Sequence, residues 1–345
     1  MKNRALLILA LALAGARGVA AQAYPADPKI ARFATCPLER GGAIVDCQIA
    51  YRTFGALSAS RDNAVLYTTW FLGRTRDGVG FYIGGPAALI DTTRFYVIAV
   101  DALGNAESAS PSTSRTQGGE RFPHFTMRDV VASQHRLLTE SLSLSRLHAV
   151  VGASMGGMQA VQWSVQYPDF AGRIVAIVPT PRTAAYDRIL WGTELRAIEM
   201  AERAGAPRDS LLDVLEGIQT LALQTPALVN RTAADSANTI VTRASASFRA
   251  RFNPWNWASQ LRAMIAHDVG APYGGSLETA SQRVRARALL IYAVQDHMVT
   301  PATIRDWAKW TGAETLEMTG ECGHLATGCE REQVRPRVVE FLARR

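Results

Sequence analysis

Residues 147–167 read LHAVVGASMGGMQAVQWSVQY: an apolar run, a small-residue turn carrying one serine, and then a helical pattern. Leu147 to Val151 has the short, β-branched character of a buried parallel strand, both faces of which are covered, so that no polar alternation is required. Gly152-Ala153-Ser154-Met155-Gly156 fits G-x-S-x-G, the strained strand-to-helix turn that holds a nucleophilic serine out at the top of a sheet. Met158, Val161, Trp163 and Val165 then lie in a helix stopped by Pro168, whose positive N-terminal end points back at Ser154. Strand, serine turn and helix in this order predict an α/β protein with a mostly parallel central sheet and helices on both faces.

Outside this stretch, the first residues read as a targeting segment. Lys2 and Arg4 make a basic start, Ala5 to Ala14 is apolar, and Ala21-Gln22-Ala23 offers an A-x-A site, so residues 1–23 are expected to be a signal peptide cleaved after Ala23. The apolar run is too short to span a bilayer. The expected product is exported, periplasmic or secreted, without stable membrane insertion. Lys and Arg number 37 against 30 Asp and Glu, a net +7. Removing Lys2, Arg4 and Arg17 leaves 34 against 30, or +4. These charges form no run or aromatic-interleaved patch, so nucleic acid is not an expected partner. Four cysteines allow three connectivities. In an exported chain the local pairs Cys36 with Cys47 and Cys322 with Cys329 are favoured, the first across a hairpin turn and the second closing a short loop. Neither pair has zinc-site spacing.

Taken in order, Phe33 to Gly55 alternates as an antiparallel hairpin around Glu39-Arg40-Gly41-Gly42, at one edge of the sheet. Ala64 to Thr68 is a buried strand running into the loop Thr69 to Gly73, which should lie near the serine. Phe95 to Val100 is another strand, and Asp101 at its end reads as a cap of the strand or turn. Gly104 to Phe125 is a long loop, and Thr126 caps a helix from Met127 to about Leu142. After a strand at Ile174 to Val178 the character changes. Helical patterns at Tyr186–Ala204, Asp209–Leu223 and Asn256–His267, joined by Ser- and Ala-rich links, predict a helical cap over residues 181–277, inserted between core segments 24–180 and 278–345. Trp191, Phe252, Trp255 and Trp257 read first as packing and second as pocket walls. The core resumes with a strand at Ala288 to Ala293, a helix from Ala302 to Trp310 and a strand at Thr315 to Met318. A closing helix near Pro336 to Leu342 carries its proline in the first turn.

A serine hydroxyl is a weak nucleophile until a base takes its proton, and the base needs a carboxylate to hold its tautomer. On a sheet with this serine turn the chain order is Ser, Asp, His. Asp296 falls just past one buried strand and His324 just past the next, so both reach the end of the sheet that carries Ser154. His124, His135, His148, His267 and His297 are poorly placed and read as structural. The oxyanion donors are expected to be the N–H of Met155 and one from the Trp70/Phe71 loop. Metal and nucleotide signatures are missing from the sequence, so no cofactor and no metal are expected.

The run VVGASMGGMQAVQWSVQYPD (150–169) closely resembles the nucleophile segment of homoserine O-acetyltransferases, enzymes of the α/β-hydrolase fold. The likeness continues through NAVLYTTW (63–70), FTMRDVVASQHRLL (125–138), RFNPWNWASQLRAM (251–264), QDHMVTP (295–301) and the Gly323-His324 pair. It implies that Ser154, Asp296 and His324 form the triad and that Phe71 supplies the N–H joining that of Met155. Three departures stand against a homoserine substrate. In that family an aspartate after the catalytic histidine engages the substrate amine, whereas here Leu325 follows His324. The family's tyrosine-arginine motif, which holds the homoserine carboxylate, has no counterpart between Gly205 and Ser247. The loop after Asp101 reads Ala106-Glu107-Ser108-Ala109 instead of a Gly-rich segment.

The leading expectation is therefore an exported serine hydrolase that cleaves an ester or related acyl bond of a small molecule through an acyl-serine intermediate. An O-acyltransferase with an altered acceptor is the alternative, and a catalytically inactive binding module the third reading. A homodimer is left open.

Overall fold

The structure, a computed structural model, describes residues 27–105, 107–242 and 246–344. The expected signal peptide and Ala106 lie outside them. Eight strands form one sheet: β1 (Lys29–Pro37), β2 (Ala43–Phe54), β3 (Ala64–Thr68), β4 (Tyr96–Val100), β5 (Ala149–Ala153), β6 (Arg173–Ile177), β7 (Arg287–Ala293) and β8 (Glu314–Met318). Their spatial order is β1-β2-β4-β3-β5-β6-β7-β8. The hairpin β1–β2 lies at one edge and pairs antiparallel to β4, while every later pairing is parallel.

Alternation explains why the central strands read as unbroken apolar runs. Leu66 of β3 and Val150 of β5 enter one core layer, and Val65, Tyr67, Ala149 and Val151 enter the other. The first layer is closed by the helices α1 (Met127–Arg136) and α2 (Met155–Gln166), through Val130, Val131, Met158 and Trp163. Thr126 caps α1, accepting from the Asp129 N–H while the Asp129 carboxylate returns to the Thr126 N–H. The helix runs on directly into a π-helical turn, Leu137–Ser141.

Between β6 and β7 the chain turns helical. The main helices are α3 (Ala185–Ala204), α4 (Arg208–Leu223) and α5 (Pro254–Ile265), the last capped by the Asn253 side chain, which accepts from the N–H groups of Trp255 and Asn256. Stretches expected to be links form short helices as well, among them Pro226–Thr232 with Thr225 as its cap. Trp191, Ile198, Leu215 and Trp257 from these helices belong to the same apolar cluster as the first face of the sheet.

Two local expectations are corrected. β5 continues through Gly152 and Ala153, so the turn is confined to Ser154. The closing helix α6 begins at Arg331 and runs to Ala343, placing Pro336 inside it and not in its first turn. Proline there removes one backbone donor. The helix continues because Val334, Val338, Phe341 and Leu342 form one stripe buried in the second core layer.

Candidate active site

Ser154 sits at the sharpest bend of the chain. Its φ of 56° and ψ of −124° are strained for a residue with a side chain. The bend is so tight that a Cβ on Gly152 would collide with the Gly156 carbonyl oxygen and with Thr68 Oγ1. The Ser154 N–H donates to Ile177 O of β6 at 2.8 Å, and the Met158 N–H donates to Ser154 O at 2.9 Å, which fixes the turn that joins β5 to α2.

Asp296 and His324 arrive from the loops after β7 and β8. His324 Nε2 lies 2.8 Å from Ser154 Oγ, and its Nδ1 lies 2.7 Å from Asp296 Oδ2. The other Asp296 oxygen accepts from the N–H groups of Met298 (2.8 Å) and Val299 (2.9 Å), so the carboxylate cannot rotate freely. Asp296 is 3% and His324 7% exposed. Gly323 holds the bend before the histidine at φ 60°, where side chains are rarely tolerated. The loop is closed by a Cys322–Cys329 disulfide, and a second disulfide joins Cys36 to Cys47. Thr225 Oγ1 adds a bond to Glu321 O.

His135, His148 and His267 are used elsewhere. His148 Nε2 meets Leu342 O at 2.8 Å, His135 stacks on Tyr167 with ring centroids 3.9 Å apart, and the buried His267 meets Thr180 O at 3.0 Å. Burial lowers the His267 pKa to about 4. Asp101 does not face the serine. Its carboxylate accepts from the Thr75 N–H (2.8 Å), from Thr75 Oγ1 and from Asn105, with Arg52 3.8 Å away. Burial, reinforced by the negative charge of Glu107, pushes it up to about 7.

The loop after β3 is held from both sides. Gln159 of α2 donates to Thr69 O at 2.9 Å. From α5, Gln260 accepts from the Leu72 N–H at 2.7 Å and donates to Leu103 O at 2.9 Å. Leu72 itself has a φ of 56°, a conformation that this bond stabilises. The sequence reading missed Gln260. Its partners are Leu72 and Leu103, 188 and 157 positions away, and no local pattern announces such a bond.

A cavity of about 710 Å³ opens over Ser154 and His324. Its walls are mostly apolar and include Phe71, Trp191, Phe252, Trp257 and Leu325. The aromatic residues first read as packing therefore do both jobs, except Trp255, which is not on the wall. Also missed was Glu194, fully buried behind Trp257. It accepts from Trp257 Nε1 (3.0 Å) and from Gln219 Nε2 (2.8 and 3.0 Å), and burial pushes its carboxyl up to about 7. A signal was present: Glu194 shares the buried stripe Asp187, Trp191, Ile198 of α3, and Gln219 the stripe Leu212, Leu215, Ala222 of α4. Polar residues at such positions need a partner.

A serine turn at the carboxyl ends of parallel strands, facing a histidine and an aspartate from later strands, defines the class of α/β hydrolases. The sequence profile of that family, the alpha/beta hydrolase fold, matches residues 73–327. The chain belongs to this family, and within it to the group related to homoserine O-acetyltransferases. It is 32% identical to the homoserine O-acetyltransferase of Clavibacter michiganensis subsp. michiganensis over 358 residues, 90% of each chain. It is 38% identical over 177 residues to an ethyl acetate hydrolase of Pseudomonas veronii, a match spanning 50% of each chain. The chain thus spans about half the length of that relative. Among solved structures, the acetyl esterase MekB superposes with a TM-score of 0.84 at 26% identity, over 92% of this chain and 97% of that one.

Proposed function

We propose that the protein is an exported esterase that cleaves a neutral ester through an acyl-Ser154 intermediate. His324 Nε2, 2.8 Å from Ser154 Oγ, takes the hydroxyl proton as oxygen attacks the acyl carbon, and returns it to the departing alkoxide. Asp296 holds the imidazole in the tautomer that leaves Nε2 free to accept. The N–H groups of Met155 and Phe71 serve the oxyanion, and neither has an acceptor among the described residues. Water, giving a proton to His324 Nε2, then attacks the acyl carbon, and that proton passes to Ser154 Oγ as the acid departs. Residues 181–277 act as the cap that roofs this chemistry.

The observation that carries the choice of a neutral ester is Leu325. It follows the base, lines the cavity and is 42% exposed. A zwitterionic amino-acid acceptor needs an anion for its ammonium, and an unpaired buried charge is costly. An acyltransferase is the second reading, favoured by the long match to the Clavibacter enzyme.

Purified protein without residues 1–23 is to be assayed on ethyl, butyl and hexyl esters, and separately on acetyl-CoA with homoserine. Ester hydrolysis that disappears in Ser154→Ala, with an unchanged melting curve, is expected. Faster acetylation of homoserine than hydrolysis of any ester would replace this reading with the second.

A further inference from the structure

The cavity is mostly apolar, and besides Ser154 and His324 its walls carry the polar side chains of Tyr82, Gln219, Arg251 and Thr327. Trp191 turns its indole N–H to Met298 Sδ at 3.3 Å, and Trp257 turns its own to Glu194, so neither indole offers a donor to the cavity. Arg251 on the wall is engaged by Asp77 at 2.8 Å. Among the cap residues on the wall, Gln219 remains. It lines the cavity yet is only 6% exposed, and its Nε2 is bonded to both oxygens of Glu194. With Nε2 against both Glu194 oxygens, the amide nitrogen faces Glu194 and the carbonyl oxygen faces away from it, the orientation that an ionised carboxylate, which only accepts, favours. Gln219 Oε1 then has no partner among the described residues.

This arrangement is more than filling. A leucine at 219 would continue the apolar stripe of α4, and a valine or leucine at 194 would continue that of α3, with no buried carboxylate to satisfy. Instead three side chains, Glu194, Trp257 and Gln219, converge to present a carbonyl oxygen to a largely apolar chamber. Such an oxygen discriminates by what it lacks: it has lone pairs and no proton, so a ligand without a donor leaves it stripped of water and unpaired.

We infer that Gln219 Oε1 is a specificity-determining acceptor, and that the cap end of the cavity takes an ester whose cap-facing group carries a hydroxyl. This deepens the ester-hydrolase reading and rests on it. The hydroxyl donates to Gln219 Oε1 while the ester carbonyl lies at Ser154. Glu194 is a positioning residue that acts through the amide. The cationic handle expected of a homoserine site is replaced, on this reading, by a neutral acceptor suited to an uncharged alcohol.

The test uses matched pairs in which a methyl is exchanged for a hydroxyl. On the alcohol side these are butyl acetate against 3-hydroxypropyl acetate and pentyl acetate against 4-hydroxybutyl acetate. On the acyl side they are ethyl esters of straight-chain acids against their terminal-hydroxy counterparts. The readout is the hydroxyl-to-methyl ratio of kcat/KM, which a general loss of packing would not move. In the wild type at least one pair should favour the hydroxyl by about tenfold or more. In Gln219→Leu the ratio should fall to one or below, chiefly through KM, and in Glu194→Gln, where the amide is free to turn, it should fall part of the way. Gln219→Met is made alongside, so that misfolding of the leucine variant leaves a second comparison. Ester turnover with no hydroxyl preference in any pair overturns this inference alone, as does a preference that survives in Gln219→Leu or Gln219→Met. Absence of turnover on every ester overturns the hydrolase reading and this inference with it.

Discussion

Beside His324, on the proposed reading, one side chain bears most directly on what the site accepts. Leu325 is apolar where an amino-acid-binding relative would need a carboxylate, and Leu325→Asp puts a charge against a largely apolar wall. The expected outcome is a rise in KM for alkyl esters of about tenfold, with no saturable transfer of acetyl to homoserine, because Arg251, the cation on the wall, is engaged by Asp77. Steady-state kinetics on both substrates check this, and a gain of transfer refutes it. His267 makes a second prediction at this scale. Its pKa is lowered from 6.5 to about 4 by burial. Above 6.5 both folded and unfolded chains hold it neutral. As pH falls from 6.5 to about 4 the unfolded chain takes up a proton that the folded chain refuses, so stability is lost through that window. The loss is on the order of 3 kcal/mol. Asp101 and Glu194, both raised to about 7, act in the opposite sense: their contribution is full below their ordinary carboxylate range and lost as pH rises through about 7. A difference between variants therefore isolates the histidine. Urea unfolding at stepped pH should show wild type losing stability relative to His267→Gln between neutral pH and about 4. A constant difference across that range counts against a neutral buried His267.

At the level of elements, the loop after β3 and the loop after β8 are the two parts that local structure does not secure by itself. Gln260 reaches from α5 to Leu72 and Leu103. Gln260→Leu releases the loop that carries Phe71, and kcat is expected to fall about tenfold or more while KM changes little. An unchanged kcat would mean that the loop keeps its shape unaided. The Cys322–Cys329 bond closes the loop holding His324, whereas Cys36–Cys47 joins β1 to β2 far from the serine. Replacing the first pair by serines should lower kcat. Replacing the second should lower stability by about 2–3 kcal/mol with kcat retained. Equal effects of the two on kcat would argue against a positioning role for the first. What the sequence disclosed followed the same division. The strands, the serine turn and the hairpin are governed by near neighbours and were legible. The helix through Pro336 was not, because a breaker outweighed the stripe Val334, Val338, Phe341, Leu342, whose worth depends on a sheet face assembled from other parts of the chain.

Across the whole molecule, the order Ser154, Asp296, His324 could be read from strand endings alone, since parallel strands deliver their C-terminal loops to one side. The polar groups that furnish the cavity could not, because Glu194, Gln219 and Trp257 meet only after three helices have packed. Those helices are not a separate body. Trp191, Ile198, Leu215 and Trp257 share one apolar cluster with β3, β5 and β6. Heating should therefore unfold cap and core in one transition, with near- and far-ultraviolet dichroism coincident. Two resolved steps would show that the cap is an independent unit. The same union bears on time as much as on stability. Because Gln260 ties α5 at once to Leu72 and to Leu103, any excursion of that helix wide enough to let go of Leu72 also dismantles the loop beside the serine. An open molecule is then expected to be a silent one, with exchange of ligand through that opening and bond-breaking occupying different moments.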